Sequence, residues 1–246
     1  MAGKTIRLAS WLRNGRTVLV ALDQVIPRGL HPAVADPGQL LEWLAAQVDG
    51  LVLHAGLATR HASRLMGGCP WLMKLTTNSA LARDRTIRGT IGTVEQALAL
   101  GASGVAVNVF IASAYESEQL RRLGRTVAIG ARWGMPVVAF MNPPEHLQFD
   151  ADALAYACRI GTEVGADVVK TDFTGDSRSF AEVVKQCQVP VIVEESPLPM
   201  TAEGTQETAR RAIDAGGAGV LFGPRVWAEP DAPALVAALQ RIVHQS

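Results

Sequence analysis

The residue that most clearly indicates chemistry is Lys170, which directly follows two valines in the segment ADVVKTD. An amine in a buried apolar strand is desolvated, which disfavours the ammonium and lowers the lysine pKa. A neutral amine can add to a ketone or aldehyde and form a Schiff base, and a second cation nearby favours the neutral form. Lys74, in PWLMKLT, would be that cation if its side chain points inward. The alternative is a structural ion pair of Lys170 with Asp23 or Glu194, because an unpaired buried lysine is costly.

Other polar residues also close apolar runs. Asp23 could act as an acid or base, moving a proton as a carbinolamine forms and collapses, or it could be a turn or cap residue before PRGL. His54 could orient a substrate hydroxyl or shuttle protons, or it could be a hydrogen-bonded core histidine. The remaining polar residues at such ends are predicted to bind substrate, and they are Lys74, Asn108, Asn142, Glu194 and Glu195.

Metal and nucleotide chemistry have little support in the sequence. The histidines lack metal-ligand spacing, and they are His31, His54, His61, His146 and His244. The three cysteines are far apart, which argues against a disulfide framework or a C-x-x-C site. The segment ALDQVIPRGLH lacks the G-x-G-x-x-G fingerprint of dinucleotide sites. A Schiff base supplies its own electrophile, so we predict no metal and no cofactor.

The amino-acid composition argues against several classes of binding partner. Lys plus Arg and Asp plus Glu each number 23, and no long basic run is present, so we predict no nucleic-acid partner. The first residues lack the apolar core of a signal peptide, and no stretch reaches the ~18 apolar residues that cross a bilayer. We therefore expect a cytoplasmic protein without a membrane partner, acting on a small carbonyl compound.

The elements that must position these residues are eight short apolar runs, typical of parallel strands buried on both faces. The runs are TVLVALD (17–23), GLVLHAG (50–56), PWLMKLT (70–76), GVAVNVF (104–110), PVVAFMN (136–142), ADVVKTD (166–172), PVIVEE (190–195) and AGVLFG (218–223). Helical segments are predicted between them at 94–102, 116–134, 150–166, 179–187, 205–217 and 233–245.

Eight strand-helix units in 246 residues predict an α/β fold, a single (β/α)8 TIM barrel forming one domain over residues 1–246. Several helices run into a glycine before the next strand, as a C-cap requires. The segment LARDRTIRGTIGT (81–93) is the exception, because TIRGTI could be a short extra strand. In such a barrel the active site lies at the carboxyl ends of the strands, which would gather the polar residues named above.

Three segments also carry a family resemblance, namely ADVVKTDFTGD, SFAEVVKQCQVPVIV and GGAGVLFG. They resemble the DeoC/LacD-type class I aldolases, the archaeal-type fructose-bisphosphate aldolase group that includes dideoxyheptulosonate synthases. The likeness runs along the whole chain and is strongest from about Gly101 onward. It implies that Lys170 forms the Schiff base and that Asp23 is the family's first-strand aspartate. It also implies assembly into a homo-oligomer.

The departures from the family pattern concern the acid and the phosphate site. The family commonly has an acidic Tyr in Y-P-R-G after the fifth strand, where this chain has Asn142, which cannot titrate. After the seventh strand a Gly-Gly that helps hold phosphate is replaced by Glu194 and Glu195. After the eighth strand G-R-N becomes Gly223-Pro224-Arg225, so the arginine is displaced by one position.

We therefore hypothesise a class I aldolase whose substrate lacks a phosphate at the usual place and bears an amine or hydroxyls that Glu194 or Glu195 could bind. A competing hypothesis keeps the phosphate and assigns it to Arg225 with the amides near Gly216, Gly217 and Gly223. Transaldolase- or thiolase-like transfer with the same lysine stays open, as does a barrel that has lost catalysis and binds a metabolite. Without Tyr, proton transfer falls to Asp23, to water, or to His54 or Glu194.

Overall fold

The apolar runs form eight parallel strands that close into a barrel in the computed structural model, which describes residues 2–65 and 68–245. The strands follow one another around the barrel in chain order, and the last pairs with the first. They are β1 (Thr17–Ala21), β2 (Gly50–Leu53), β3 (Trp71–Lys74), β4 (Gly104–Phe110), β5 (Val137–Asn142), β6 (Val168–Thr171), β7 (Val191–Val193) and β8 (Gly219–Phe222). The predicted (β/α)8 barrel is confirmed.

Helices connect the strands and cover the barrel. They are α1 (Ala2–Trp11), α2 (Val25–Arg28), α3 (Pro37–Ala45), α4 (Ala55–Arg60), α5 (Ala62–Leu65), α6 (Val94–Ala99), α7 (Glu116–Trp133), α8 (Ala151–Val164), α9 (Ser177–Cys187), α10 (Ala202–Asp214), α11 (Pro224–Trp227) and α12 (Ala232–His244). Short 3-10 turns cover Pro32–Val34 and Glu145–Leu147. None of these helices, within the residues described, is long and apolar enough to cross a bilayer.

Local sequence explains where the longer helices begin and end. Asp150, Asp176 and Asp231 each accept a hydrogen bond from a backbone N–H three residues ahead, and so cap α8, α9 and α12. Gly134 and Gly165 adopt left-handed backbone at the ends of α7 and α8, with φ of 63° and 102°. These glycines hold the short turns that lead into β5 and β6.

The segment 81–93 lies outside the barrel wall. Gly89–Thr90 pairs antiparallel with Thr76–Thr77, directly after β3, and the two form a two-stranded ribbon. The predicted extra strand therefore exists, but it is two residues long and leaves the count of barrel strands unchanged. The connection from β3 to β4 is carried in this way over the carboxyl end of the barrel, because it starts where β3 ends.

The barrel interior is filled by alternate residues of the strands, because successive side chains of a strand point to opposite faces. The inward apolar layer comprises Leu19, Val52, Leu72, Ala106, Val138, Val168, Ile192 and Leu221. Trp11, at the end of α1, is fully buried in the same cluster, and its indole N–H donates to the carbonyl of Ser103, just before β4. Helix α1 therefore closes the amino-terminal end of the barrel.

Candidate active site

Above this apolar layer, most of the inward residues that line the cavity are polar. Lys170 follows Val168 by two residues and Lys74 follows Leu72 by two, so the alternation that directs the valine and leucine inward directs both lysines inward as well. The same spacing from the layer applies to Asn108, Phe140 and Glu194, whereas Asp23 lies four residues after Leu19.

These residues line a cavity of about 400 Å³ at the carboxyl end of the barrel, a size suited to a small metabolite. The rest of its lining comes from the last residues of β4 and β5 and from the segments that follow the strands. Those residues are Gln24, Pro27, Arg28, Thr76, Thr77, Arg85, Arg88, Phe110, Asn142, Glu145, Gln148, Asp172 and Glu195. The cavity is therefore strongly polar, with charges of both signs.

Lys170 is buried on β6, and its ammonium forms an ion pair with Glu194. Its Nζ also lies 5.1 Å from the centre of the Phe140 ring. Burial lowers the lysine pKa, but the charges of Glu194 and Asp172 and the hydrogen bond to Glu194 outweigh burial, so the pKa of Lys170 is raised. The expectation that desolvation alone would make this amine neutral is therefore wrong. Of the two ion pairs considered for Lys170, the one with Glu194 forms.

For Lys74, the effect of burial on the pKa outweighs the effect of the neighbouring carboxylates. Its Nζ lies 3.7 Å from Asp23 Oδ2 and 3.3 Å from the centre of the Phe140 ring, and its side chain is buried. Burial lowers the pKa of Lys74 to about 7, and the attraction of Asp23 and Glu194 offsets only part of that effect. Lys74 points inward, as the second-cation expectation required. At neutral pH it is the lysine of the cavity that readily exchanges a proton.

Gln24 donates hydrogen bonds to both carboxylates that pair with the lysines, Asp23 and Glu194. Its Nε2 donates to Glu194 Oε1 at 3.0 Å and to Asp23 Oδ1 at 3.4 Å. Its Oε1 accepts from Arg28 Nε at 2.9 Å. The amide therefore links the end of β1 to the end of β7 and holds Asp23 and Glu194 at the same side of the cavity.

Asp172 is a buried carboxyl that the sequence prediction missed. Burial raises its pKa, although the charge of Lys170 opposes that shift. It accepts a hydrogen bond from Gln148 at 3.0 Å and one from the backbone N–H of Glu195 at 3.2 Å. The signal in the sequence was its position two residues after Lys170, which gives the same inward direction.

Asn108 and Asn142 line the cavity as predicted, and both have partners. The side chain of Asn108 accepts from the Thr76 hydroxyl at 3.2 Å. The Asn142 amide donates to the carbonyls of Val109 at 3.1 Å and Phe140 at 2.9 Å. The Asn142 donors are thus occupied by backbone, and this side chain carries no proton that titrates.

His54, Gly223 and Arg225 do not line this cavity. His54 lies 3.2 Å from the carbonyl of Lys74 through Nδ1, and burial lowers its pKa. His54 lines a separate, mainly apolar cavity of about 490 Å³, which shares only Asp23 with the first among the described residues. Gly223 packs against Gln24, since a Cβ there would lie 3.2 Å from Gln24 Cγ.

Arg225 is buried beneath the loop that follows β7. Its guanidinium donates to the carbonyls of Ser196, Leu198 and Pro199 at 2.9, 3.2 and 3.1 Å. It also pairs with Glu195 at 3.4 Å. This arginine therefore has its donors directed at the protein rather than at the cavity.

Three arginines at the cavity were not predicted from the sequence, and they are Arg28, Arg85 and Arg88. Arg28 pairs with Glu195 at 2.8 Å. Arg85 and Arg88 belong to the loop that connects β3 and β4. Because this loop lacks the alternation of a strand, the sequence did not predict the direction of its side chains. In the described part of the chain, no group of three or more His, Cys, Asp or Glu side chains is arranged to hold a metal ion.

A family model described as DeoC/LacD family aldolase matches residues 17–229. A 2-amino-3,7-dideoxy-D-threo-hept-6-ulosonate synthase of Archaeoglobus fulgidus is 31% identical, over 99% of this chain and 92% of that protein. A class 1 fructose-bisphosphate aldolase of Thermoproteus tenax is 29% identical, over 96% of this chain and 93% of that protein.

Solved structures agree with this match. An archaeal fructose 1,6-bisphosphate aldolase superposes with a TM-score of 0.91 at 28% identity, covering 99% of this chain and all of the other. A second structure, with its catalytic lysine covalently bound to the carbinolamine intermediate of the substrate, has a TM-score of 0.90 at 28% identity and covers 98% of this chain and 99% of the other.

Proposed function

The chain belongs to the DeoC/LacD family of Schiff-base aldolases, and on that premise we propose that it makes or cleaves a carbon–carbon bond of a carbonyl substrate through an imine on Lys170. The observation that carries this assignment is the position of Lys170. Its amine is buried at the carboxyl end of β6 and lines a cavity of substrate size. Carboxylates and a second amine surround it there.

The first step requires that Lys170 lose a proton, because its ion pair with Glu194 keeps it charged. We assign Glu194 as the proton acceptor. The neutral nitrogen then attacks the carbonyl carbon, a carbon–nitrogen bond forms, and the carbonyl electron pair moves to oxygen to give a carbinolamine.

Proton transfer in the later steps falls to Lys74 and Asp23, which lie 3.7 Å apart at the same cavity. A proton delivered to the carbinolamine oxygen lets water leave, and the protonated imine then accepts the electron pair of the breaking carbon–carbon bond. The hydroxyl of the departing fragment gives its proton to the same pair. A pKa of about 7 suits Lys74 to both directions of transfer, and this compensates for Asn142, which cannot titrate.

The proposed substrate carries no phosphate at the site that the family uses after the seventh and eighth strands. In this chain Glu194 and Glu195 stand there, held by Lys170 and by Arg28 with Arg225. Pro197 has no N–H to offer.

The competing assignment gives the phosphate to Arg225 with the amides near Gly216, Gly217 and Gly223, and the contacts of Arg225, Gly216 and Gly217 do not favour it. Arg225 donates to backbone carbonyls. The amides of Gly216 and Gly217 bond to Ile213 and Ala212 at the end of α10, before β8 begins. They therefore lie at the end of the barrel opposite the cavity.

Borohydride trapping tests the nucleophile. We expect reduction in the presence of small ketones and aldehydes to add the mass of one substrate less one oxygen to the protein, because water leaves as the imine forms, with the adduct on the peptide that contains Lys170. Lys170→Met should abolish the adduct, whereas Lys185→Met, on an exposed face of α9, should retain it. An adduct on Lys74 instead, or no adduct with any carbonyl compound, would overturn the assignment.

A further inference from the structure

Arg85 and Arg88 line the active-site cavity but take no part in the proton transfers assigned above. Both lie on the connection between β3 and β4. In a ring of eight strands in chain order, β3 is diametrically opposite β7. The two arginines therefore stand across the barrel mouth from the loop that carries Glu194 and Glu195.

Arg88 is held in place by contacts on several sides. Its Nη1 donates to Asn78 Oδ1, its guanidinium lies 5.2 Å from the centre of the Phe110 ring, and its carbonyl accepts from Arg122. Its Nε is buried and has no hydrogen-bond partner. An unpaired buried donor costs free energy in the unliganded protein, so a shift of the side chain that pairs this N–H with a ligand oxygen would be favoured.

Arg85 adds a second positive charge without an anion. The described residues place no carboxylate against Arg85 or Arg88, whereas Arg28, the third arginine at this cavity, is neutralised by Glu195 at 2.8 Å. Among the charges that act on Arg88, those of Asp23 and Glu194 attract it and those of Arg85 and Arg28 oppose it. Two neighbouring guanidinium groups with no carboxylate in contact are an arrangement that carboxylate and phosphate groups satisfy.

We propose that Arg85 and Arg88 form a subsite for an oxoanion, a carboxylate or a phosphate, at the end of the substrate remote from the carbonyl that reacts with Lys170. This inference rests on the proposed function, because it treats the cavity as a substrate site. Asp23 and Glu194 lie beside the lysines and disfavour an anion there, so the anionic end is directed to the arginines. The anion site is thus moved from the loops after β7 and β8 to the loop after β3.

The test compares ketones with and without a remote anion in the trapping reaction. The carboxylate pair is levulinate and 2-pentanone, and the phosphate pair is fructose 6-phosphate and fructose. We expect the anionic member of at least one pair to give half-maximal labelling at lower concentration. Arg85→Gln/Arg88→Gln should reduce that preference about tenfold or more, since each arginine contributes a charge-assisted hydrogen bond.

The matched control is Arg83→Gln, which removes one positive charge from an exposed residue of the same loop that does not line the cavity. It should keep both the preference and the labelling by the uncharged ketones. The pair that shows the larger preference identifies the anion as carboxylate or phosphate. An equal preference in the double variant and the wild-type protein, or no preference in the wild type, would overturn the subsite.

A second measurement separates this inference from the proposed function. Inorganic phosphate and malonate are titrated into the free wild-type protein, the double variant and Arg83→Gln by calorimetry. Binding that disappears only in the double variant supports the subsite even if no ketone is trapped on Lys170. If neither anion binds the wild type, or both bind the double variant equally well, the subsite is wrong whatever the trapping shows.

Discussion

At the scale of single residues, the two lysines of the cavity differ because of their partners. Both are buried in the same barrel within about 5 Å of the Phe140 ring centre. Lys170 has Glu194 in direct contact, and its pKa is raised, whereas Lys74 lies 3.7 Å from Asp23, and its pKa falls to about 7 under the larger effect of burial. Lys170 therefore stays protonated, whereas Lys74 exchanges its proton near neutral pH.

The depressed pKa of Lys74 predicts a pH-dependent stability. Below about pH 7 this lysine is charged in both the folded and unfolded states, and the cost of burying the ammonium is fully present. Between that pH and the ordinary lysine pKa the unfolded state binds more protons, so stability rises with pH. We expect Lys74→Met to stabilise the protein relative to wild type at pH 6, with an advantage that shrinks by about 2 to 3 kcal/mol by pH 9.

Thermal or urea unfolding across pH 6 to 9 measures this difference. Lys185→Met, at an exposed residue of α9, provides the baseline and should differ from wild type by a constant amount over the same range. If the stability difference between Lys74→Met and wild type is also independent of pH, the ammonium of Lys74 is not desolvated as the structure indicates.

At the scale of elements, the loop after β7 is held by contacts within the protein. Arg225 supports it from below through the carbonyls of Ser196, Leu198 and Pro199, while Glu195 links Arg225 to Arg28 above. The loop is therefore held by the same arginine that a sequence reading would assign to substrate.

The support that Arg225 gives this loop predicts a structural effect of its substitution. Arg225→Lys should lower the free energy of unfolding by about 2 to 3 kcal/mol, because an ammonium cannot reproduce the planar set of donors. Urea unfolding measures the change, and Arg210→Lys, on the exposed face of α10, should change stability by less than about 0.5 kcal/mol. Unchanged stability of Arg225→Lys together with weaker binding of phosphorylated ketones would favour the competing phosphate assignment.

At the scale of the whole molecule, the barrel is closed at its amino-terminal end by α1 and open to the cavity at the other. Trp11 fills the interior beneath the apolar layer, whereas Trp133 at the end of α7 is 47% exposed. Trp71 and Trp227 are also buried, so core packing accounts for most of the large aromatic surface. The packed residues at the amino-terminal end hold the strands in place, and therefore also the lysines nearer the carboxyl ends of the strands.

The closing role of α1 predicts a large loss on truncation of Trp11. Trp11→Ala should lower the free energy of unfolding by about 3 to 5 kcal/mol, through lost burial and the cavity left behind. Trp133→Ala is the matched control and should cost much less, because nearly half of that side chain already meets solvent. Denaturant unfolding of both variants checks this, and equal losses would show that α1 does not close the barrel.

The sequence by itself determined the order of the strands and the inward direction of the residues on them. Apolar runs must be buried, and alternation along a strand directs alternate side chains to the interior, so Lys170 could be placed at the carboxyl end of the barrel, with Lys74 beside it if its side chain points inward. The aldolase chemistry followed from that placement and from the family resemblance. The directions of loop side chains could not be predicted in this way, because loops have no periodicity.

Only the tertiary structure determined the pKa values of the site residues and the residues that they contact. The pKa of Lys170 depends on Glu194, and that of Lys74 on Asp23 and on complete burial, which are relations between residues far apart in the chain. The direction of Arg225 into the protein and of Arg85 and Arg88 toward the cavity was decided in the same way. Electrostatic interactions depend on distance in space and on the exclusion of water, and neither is set by position along a sequence.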